Sequence, residues 1–117
     1  MNKIYYLSNC NTCTRIINEL NLPKGFQLQD IKTEPITKSQ IEEMRALTDS
    51  YENLFSKRAR LYKKLGLKDK ALSEEDYKNY ILEHYTFLKR PVVLFNNQIF
   101  IGNSKKTVEA AKLAIHE

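Results

Sequence analysis

The feature that most limits how this chain can fold is eight residues long. Ser8-Asn9-Cys10-Asn11-Thr12-Cys13-Thr14-Arg15 follows the apolar run Ile4-Tyr5-Tyr6-Leu7 and precedes a helical pattern. The run is rich in strand formers and too short for a helix, so it reads as a buried strand. Cys13, Ile16, Ile17 and Leu20 recur at helical spacing on one face, which predicts a helix from about Thr12 to about Leu20. Both cysteines therefore sit where a strand gives way to a helix N-terminus, spaced C-x-x-C. That spacing across a first helical turn brings two sulfurs within reach of a disulfide with little backbone strain. The helix end carries partial positive charge and free N–H groups, which favour a thiolate, and more so at the first cysteine. Cys10 is expected to be the exposed nucleophile and Cys13 the half-buried resolving thiol.

Two plainer readings stand beside this one: a pair of inert thiols, or half of a zinc site. A zinc site needs a second pair of ligands. Only His84 and His116 remain as histidines, and they share no metal-ligand spacing. At 117 residues the chain is long enough for one domain with a single core. No apolar run approaches a membrane span, and the N-terminus lacks the pattern of a signal peptide, so a cytoplasmic protein is expected. In a reducing compartment a C-x-x-C pair points to catalysis or sensing rather than to a structural staple. The net charge is +5, with lysines and arginines spread along the chain but crowded at Lys57, Arg58, Arg60, Lys63 and Lys64. Such a cluster could attract an anionic substrate, an acidic partner or nucleic acid. No nucleic-acid motif accompanies these residues, so they read as a solvated helix face.

Along the chain, Asn21, Pro23 and Gly25 end the first helix, and the alternation Phe26-Gln27-Leu28-Gln29-Asp30-Ile31 predicts a half-buried second strand. Strand, helix and strand at this spacing make a βαβ unit with parallel strands. Thr37-Lys38-Ser39-Gln40 is a capping box flanked by Ile36 and Ile41, and Leu72-Ser73-Glu74-Glu75-Asp76-Tyr77 repeats the device. Between them Leu54, Leu61 and Leu65 recur at helical spacing up to Gly66. After the second cap, Tyr77, Ile81, His84, Tyr85 and Leu88 form a stripe expected to be buried, with His84 at its core edge. Pro91 opens a third strand, Val92-Val93-Leu94-Phe95. Asn96-Asn97 turns it back as Gln98-Ile99-Phe100-Ile101. Ser104 caps a last helix that faces inward through Val108, Ala111 and Ile115. The expected fold is α/β and thioredoxin-like: a four-stranded mixed sheet in the order β-α-β … β-β-α, one domain over 1–117, with a helical subdomain inserted at approximately 36–88.

With Cys10-x-x-Cys13, Tyr62-Lys63-Lys64-Leu65-Gly66-Leu67 and Lys89-Arg90-Pro91 in place, the chain resembles the arsenate reductase/Spx (ArsC-like) family along essentially its whole length. The resemblance implies that Cys10 matches both the cysteine that attacks arsenate in the reductases and the first cysteine of the Spx redox switch. It implies a cis proline at Pro91 beside the cysteines. It also implies that Arg90 holds an oxyanion or the thiolate, for which a planar guanidinium is suited. Asn11 and Thr12 at the turn, Arg58 and Pro91 are the implied substrate-binding residues. Two positions depart from the reductase pattern. Ser56 stands where one anion-binding arginine lies, with Arg58 and Arg60 nearby, and Asn103 stands where another follows the glycine Gly102. The second cysteine and Ser56-Lys57-Arg58 resemble the Spx pattern instead. Spx-type regulators seat the RNA polymerase α subunit on a loop glycine, and here that position falls near Tyr51.

Two functions follow. One is a thiol–disulfide oxidoreductase acting on arsenate or a disulfide, with no bound cofactor and with glutathione/glutaredoxin or thioredoxin as electron donor. The other is a redox-sensing regulator that docks on the RNA polymerase α subunit. Neither reading expects a membrane or direct contact with nucleic acid.

Overall fold

The chain runs β1 (Lys3–Tyr6), α1 (Asn11–Leu20), β2 (Gln27–Asp30), α2 (Lys38–Arg45), α3 (Arg60–Lys64), α4 (Glu74–Glu83), β3 (Val92–Phe95), β4 (Gln98–Ile101) and α5 (Lys105–His116). The structure, a computed structural model, describes residues 2–117. It divides into two compact units. One holds the residues up to Glu34 together with Arg90–Glu117, and the other is Pro35–Lys89.

The first unit is a four-stranded mixed sheet in the order β2-β1-β3-β4. β1 and β2 are parallel, with Ile4 opposite Leu28 and Tyr6 opposite Asp30. β3 runs antiparallel to β1, with Ile4 opposite Val93, and forms a hairpin with β4. Asn96 and Asn97 both have positive φ, 51° and 60°, as a two-residue hairpin turn requires, and asparagine tolerates that region. Helices α1 and α5 cover one face of the sheet. Ile16 and Leu20 from α1, and Val108, Ala111 and Ile115 from α5, pack on Ile4 and Val93. Phe26 stacks on Phe95 at the rim of this core, with ring centroids 5.9 Å apart. His116 closes the layer by sharing a 2.7 Å hydrogen bond with the Leu20 carbonyl.

In β2 the burial runs opposite to hydropathy: Leu28 is 51% exposed and Gln29 only 2%. Paired residues point to the same face, so Leu28 shares the helix-covered side with Ile4. It lies on the outermost strand, where apolar cover runs out. Gln29 shares the opposite face with buried Tyr5, and its amide donates to the Glu34 carbonyl at 3.0 Å. That bond offsets the cost of burying the amide.

The second unit is helical, and two of its helix starts, those of α2 and α4, form as their sequences predict. Thr37 and Ser73 are N-caps, each with a reciprocal capping box, to Gln40 and Asp76. The segment between them differs from the expected helical run. Phe55 is extended and bridges Leu88 antiparallel. The Ser56 N–H donates to the Phe87 carbonyl at 2.6 Å, and the Lys89 N–H to the Leu54 carbonyl at 2.8 Å. Leu54 is buried in this arrangement, while Leu65 is 43% exposed. The stripe after the second cap is also broken. Helix α4 stops at Glu83, and His84 is extended, with φ −137° and ψ 112°. His84 is therefore exposed rather than at a core edge, its ring edge-on to Phe87 at 5.8 Å. Phe87 is fully buried and stacks on Phe55 at 4.9 Å, and Tyr77 meets Phe55 edge-on at 4.9 Å. These aromatic contacts join segments distant in sequence, which overrides the helical period. Lys57, Arg58, Arg60, Lys63 and Lys64 are all at least partly exposed. Among the described residues no helix is long and apolar enough to cross a membrane.

Candidate functional site

Cys10 is the N-cap of α1, with extended backbone at φ −103° and ψ 110°. Its N–H donates to the Leu7 carbonyl at 3.0 Å, closing a turn over Ser8 and Asn9. Its own carbonyl accepts the Thr14 N–H at 3.1 Å and the Thr14 hydroxyl at 3.3 Å. The residue is thus held on both sides by backbone. Cys10 is partly buried, whereas Cys13, one helical turn on, is fully buried; both thiols are free. Cys13 is accordingly more enclosed than a half-buried thiol.

The two sulfurs are neighbours with opposed ionisation. Burial by itself would raise the pKa of Cys10. The Cys13 N–H, the donating Cys13 thiol, the Arg90 guanidinium and the Thr12 N–H together outweigh it, leaving Cys10 below its ordinary 9.0. The Cys10 sulfur makes no strict capping hydrogen bond. The N–H groups of the first turn nonetheless face it closely enough to favour its charge, as a helix N-terminus should. Cys13 moves the other way, pushed up to about 11. Burial is the chief cause, and its hydrogen bond to Cys10 and the Cys10 charge add to it. A backbone hydrogen bond involving Leu7 and the Arg90 charge oppose the shift.

Arg90 and Pro91 join through a cis peptide bond at the start of β3. The structure thus gathers Cys10, Asn11, Thr12, Cys13, Arg90 and Pro91 at one end of the first unit. Asn11 is exposed at the first position of α1, and Thr12 is half-buried with its N–H toward the Cys10 sulfur. Pro91 is buried and lines an apolar cavity of about 10 Å³ with Ile16, Leu20, Val93, Phe100 and Val108. That volume is no ligand chamber. Arg58 belongs to the helical unit, exposed in the turn that leads into α3. No group of histidines, cysteines and carboxylates among the described residues could hold a metal.

One residue of this end went unnoticed in the sequence. The Asp30 Oδ1 atom accepts the Ser8 N–H at 3.3 Å and the Lys32 N–H at 3.2 Å. The available signal was an aspartate closing a strand, the usual start of a side-chain turn. What it could not reveal was that Ser8, far off in sequence, lies beside it.

A model of the ArsC family matches residues 5–111. The chain belongs to the ArsC family. Among curated proteins it is similar to the global transcriptional regulator Spx of Streptococcus mutans, at 24% identity over 109 residues, covering 92% of this chain and 80% of that one. It is also similar to Spx of Bacillus subtilis, at 22% identity over 90% of this chain and 82% of that one. Among solved structures it superposes on the arsenate reductase from Vibrio cholerae with a TM-score of 0.78. The identity there is 20%, over 97% of this chain and 96% of that chain. The sheet order described above is thus the thioredoxin-like fold of ArsC proteins.

Proposed function

We propose that this ArsC-family chain is a thiol–disulfide oxidoreductase, with Cys10 as nucleophile and Cys13 as resolving thiol. The observation that carries the reading is the placement of the two thiols: Cys10, partly exposed, is the N-cap of α1, and Cys13 lies fully buried one turn on. The first-turn N–H groups and Arg90 favour the charged form of Cys10, and burial disfavours that of Cys13. A thiolate attacks and a thiol waits. In the first step the Cys10 thiolate attacks one sulfur of a substrate disulfide. The S–S bond breaks, a mixed disulfide forms at Cys10, and the second substrate sulfur leaves as a thiolate. The emptied charge at Cys10 lets Cys13 give up its proton, because that negative neighbour was one reason for holding it. The Cys13 sulfur then attacks the Cys10 sulfur. The substrate leaves as a second thiol and the Cys10–Cys13 disulfide closes, two electrons having passed to the substrate. With arsenate, arsenic(V) takes the place of the substrate disulfide, water leaves in the first step and arsenite in the second. Arg90 and the N–H groups of Thr12 and Cys13 stabilise the anion in either case. Glutathione with glutaredoxin, or thioredoxin, returns the two electrons.

A second reading, a redox-gated regulator docking on the RNA polymerase α subunit, is favoured by the Spx-named relatives and by the second cysteine. Tyr51 weighs against it. Arg45, at 5.8 Å, and Lys78, at 5.6 Å, both approach its ring, and its N–H donates to Glu74 at 2.6 Å. A bulky residue thus stands near the position where the resemblance implies that Spx-type regulators use glycine.

The test is a reductase assay on purified protein with arsenate and with a model disulfide, supplied with glutathione/glutaredoxin or with thioredoxin. Turnover lost in Cys10→Ser, and a trapped mixed disulfide in Cys13→Ser, are expected. Absence of turnover, together with binding to the isolated C-terminal domain of the polymerase α chain, would overturn the enzyme reading in favour of the regulator.

A further inference from the structure

We propose that Asp30 is a positioning residue of the cysteine site: its carboxylate pins the turn that presents Cys10. The inference rests on the redox reading of Cys10. Asp30 is the last residue of β2, directly opposite Tyr6, the last residue of β1. The Ile31 N–H donates to the Tyr6 carbonyl at 2.9 Å, which ends the ladder there. Beyond that point the strands diverge, β1 into the cysteine turn and β2 into the stretch from Ile31 to Glu34. The Asp30 side chain bridges the gap. A single oxygen, Oδ1, accepts the N–H of Ser8 on one side and of Lys32 on the other. The Ser8 side chain and these N–H groups favour the ionised form of the carboxylate.

Ser8 is the first corner of the turn that the Cys10 N–H closes onto the Leu7 carbonyl. Ser8 and Asn9 are both exposed. With Asp30 in place, the turn is tied to the sheet at its corner and to α1 through Cys10. The direction of the Cys10 sulfur toward the N–H groups of Thr12 and Cys13 follows from that double tie. A negative charge here would oppose a thiolate rather than help it. What Asp30 supplies is therefore an oxygen in the right place, and a neutral carbonyl at the same spot serves as well. This separates the proposal from an electrostatic role. Asp30→Asn keeps an oxygen able to accept both backbone N–H groups, whereas Asp30→Ala removes it.

The experiment measures the rate of Cys10 alkylation by iodoacetamide against pH in the full chain, for wild type, Asp30→Asn and Asp30→Ala. Asp30→Ala should react at least about fivefold more slowly at neutral pH, the scale of one hydrogen bond's net worth. Its reactivity profile should shift to higher pH, and Asp30→Asn should stay close to wild type. Equal rates in Asp30→Ala and wild type would overturn the proposal, as would an Asp30→Asn rate as low as that of Asp30→Ala. Acid titration of the wild-type protein, followed by amide NMR, decides the matter if Asp30→Ala does not fold. The Ser8 and Lys32 amide signals should move together as the carboxyl protonates, at a pH below the ordinary carboxylate range because Ser8 and Lys32 donate to it. A Ser8 signal indifferent to that titration would overturn the clamp. Failure of the redox reading looks different, because wild-type Cys10 would then alkylate as a free thiol and no Cys10–Cys13 disulfide would close.

Discussion

Alkylation should separate the two cysteines by a margin that follows from their ionisation. Cys13 titrates at about 11, so at pH 7 only about one molecule in ten thousand carries its thiolate. Cys10 lies below 9.0, so at least about one in a hundred is ionised. Thiolate population alone therefore favours Cys10 by a factor of about 100 or more. The less acidic thiol is intrinsically the better nucleophile, and a Brønsted slope near 0.5 over two units returns about tenfold to Cys13. The net preference is about tenfold or greater for Cys10 before access is counted. Access widens it, since Cys13 is 0% exposed. The assay is iodoacetamide labelling at pH 7, followed by mass spectrometry, of Cys13→Ser, which keeps Cys10, and of Cys10→Ser, which keeps Cys13. Cys13→Ser should label several-fold faster or more. This margin is narrower than in the wild type, because Cys10→Ser also removes the Cys10 charge and hydrogen bond that help Cys13 keep its proton, while burial, the chief cause, remains. In the wild type the first label should map to Cys10. Rates within about twofold of each other, or a first label at Cys13, would refute both the assignment and the electrostatics behind it.

Other measurements test separate parts of the molecule. Arg90→Gln removes a positive charge that favours the Cys10 thiolate. Labelling of Cys10 should slow at neutral pH and recover toward the wild-type rate at alkaline pH; a uniform loss across pH would point to geometry rather than charge. Cys13 holds its proton to about 11 in the native state against 9.0 ordinarily. Over that interval the native state binds more protons than the unfolded one, so this contribution to stability is present below pH 9.0 and is lost as pH rises toward 11. Urea unfolding of wild type and Cys13→Ala should show a steeper alkaline loss in the wild type, and parallel curves would contradict the buried-thiol picture. Phe55→Ala deletes the ring at the centre of the aromatic cluster, stacked on Phe87 and edge-on to Tyr77. It should cost about 3–5 kcal/mol in denaturant unfolding, and a loss under about 1 kcal/mol would mean that the cluster contributes little to stability.

Much of the fold was legible because its signals are local. The apolar run of β1, the two capping boxes, the Asn96-Asn97 turn and the Ser104 cap each state their structure within a few residues. The errors fall where a distant partner decides. Leu54, Leu61 and Leu65 keep a helical period, yet Phe55 is drawn out to bridge Leu88, some thirty positions along the chain. His84 lies on an apparent stripe, but the helix has already ended and Phe87 takes the buried place. Leu28 and Gln29 exchange their expected environments because strand order puts β2 at the sheet edge. Period and hydropathy say which residues can be buried, not which positions receive cover.

The candidate site divides in the same way. From residue types and spacing alone came a thiol pair at a helix start, with the first thiol the more acidic, because a helix end acts on its own first turn. What required folding was every influence arriving from elsewhere. Arg90 reaches the sulfurs only because β3 lies beside β1. The complete burial of Cys13, and with it the wide gap between the two thiols, depends on what packs over α1. Asp30 meets Ser8 only because two parallel strands end level with each other. Charge and hydrogen bonding act over a few ångströms in space, and a linear sequence records distance only along the chain.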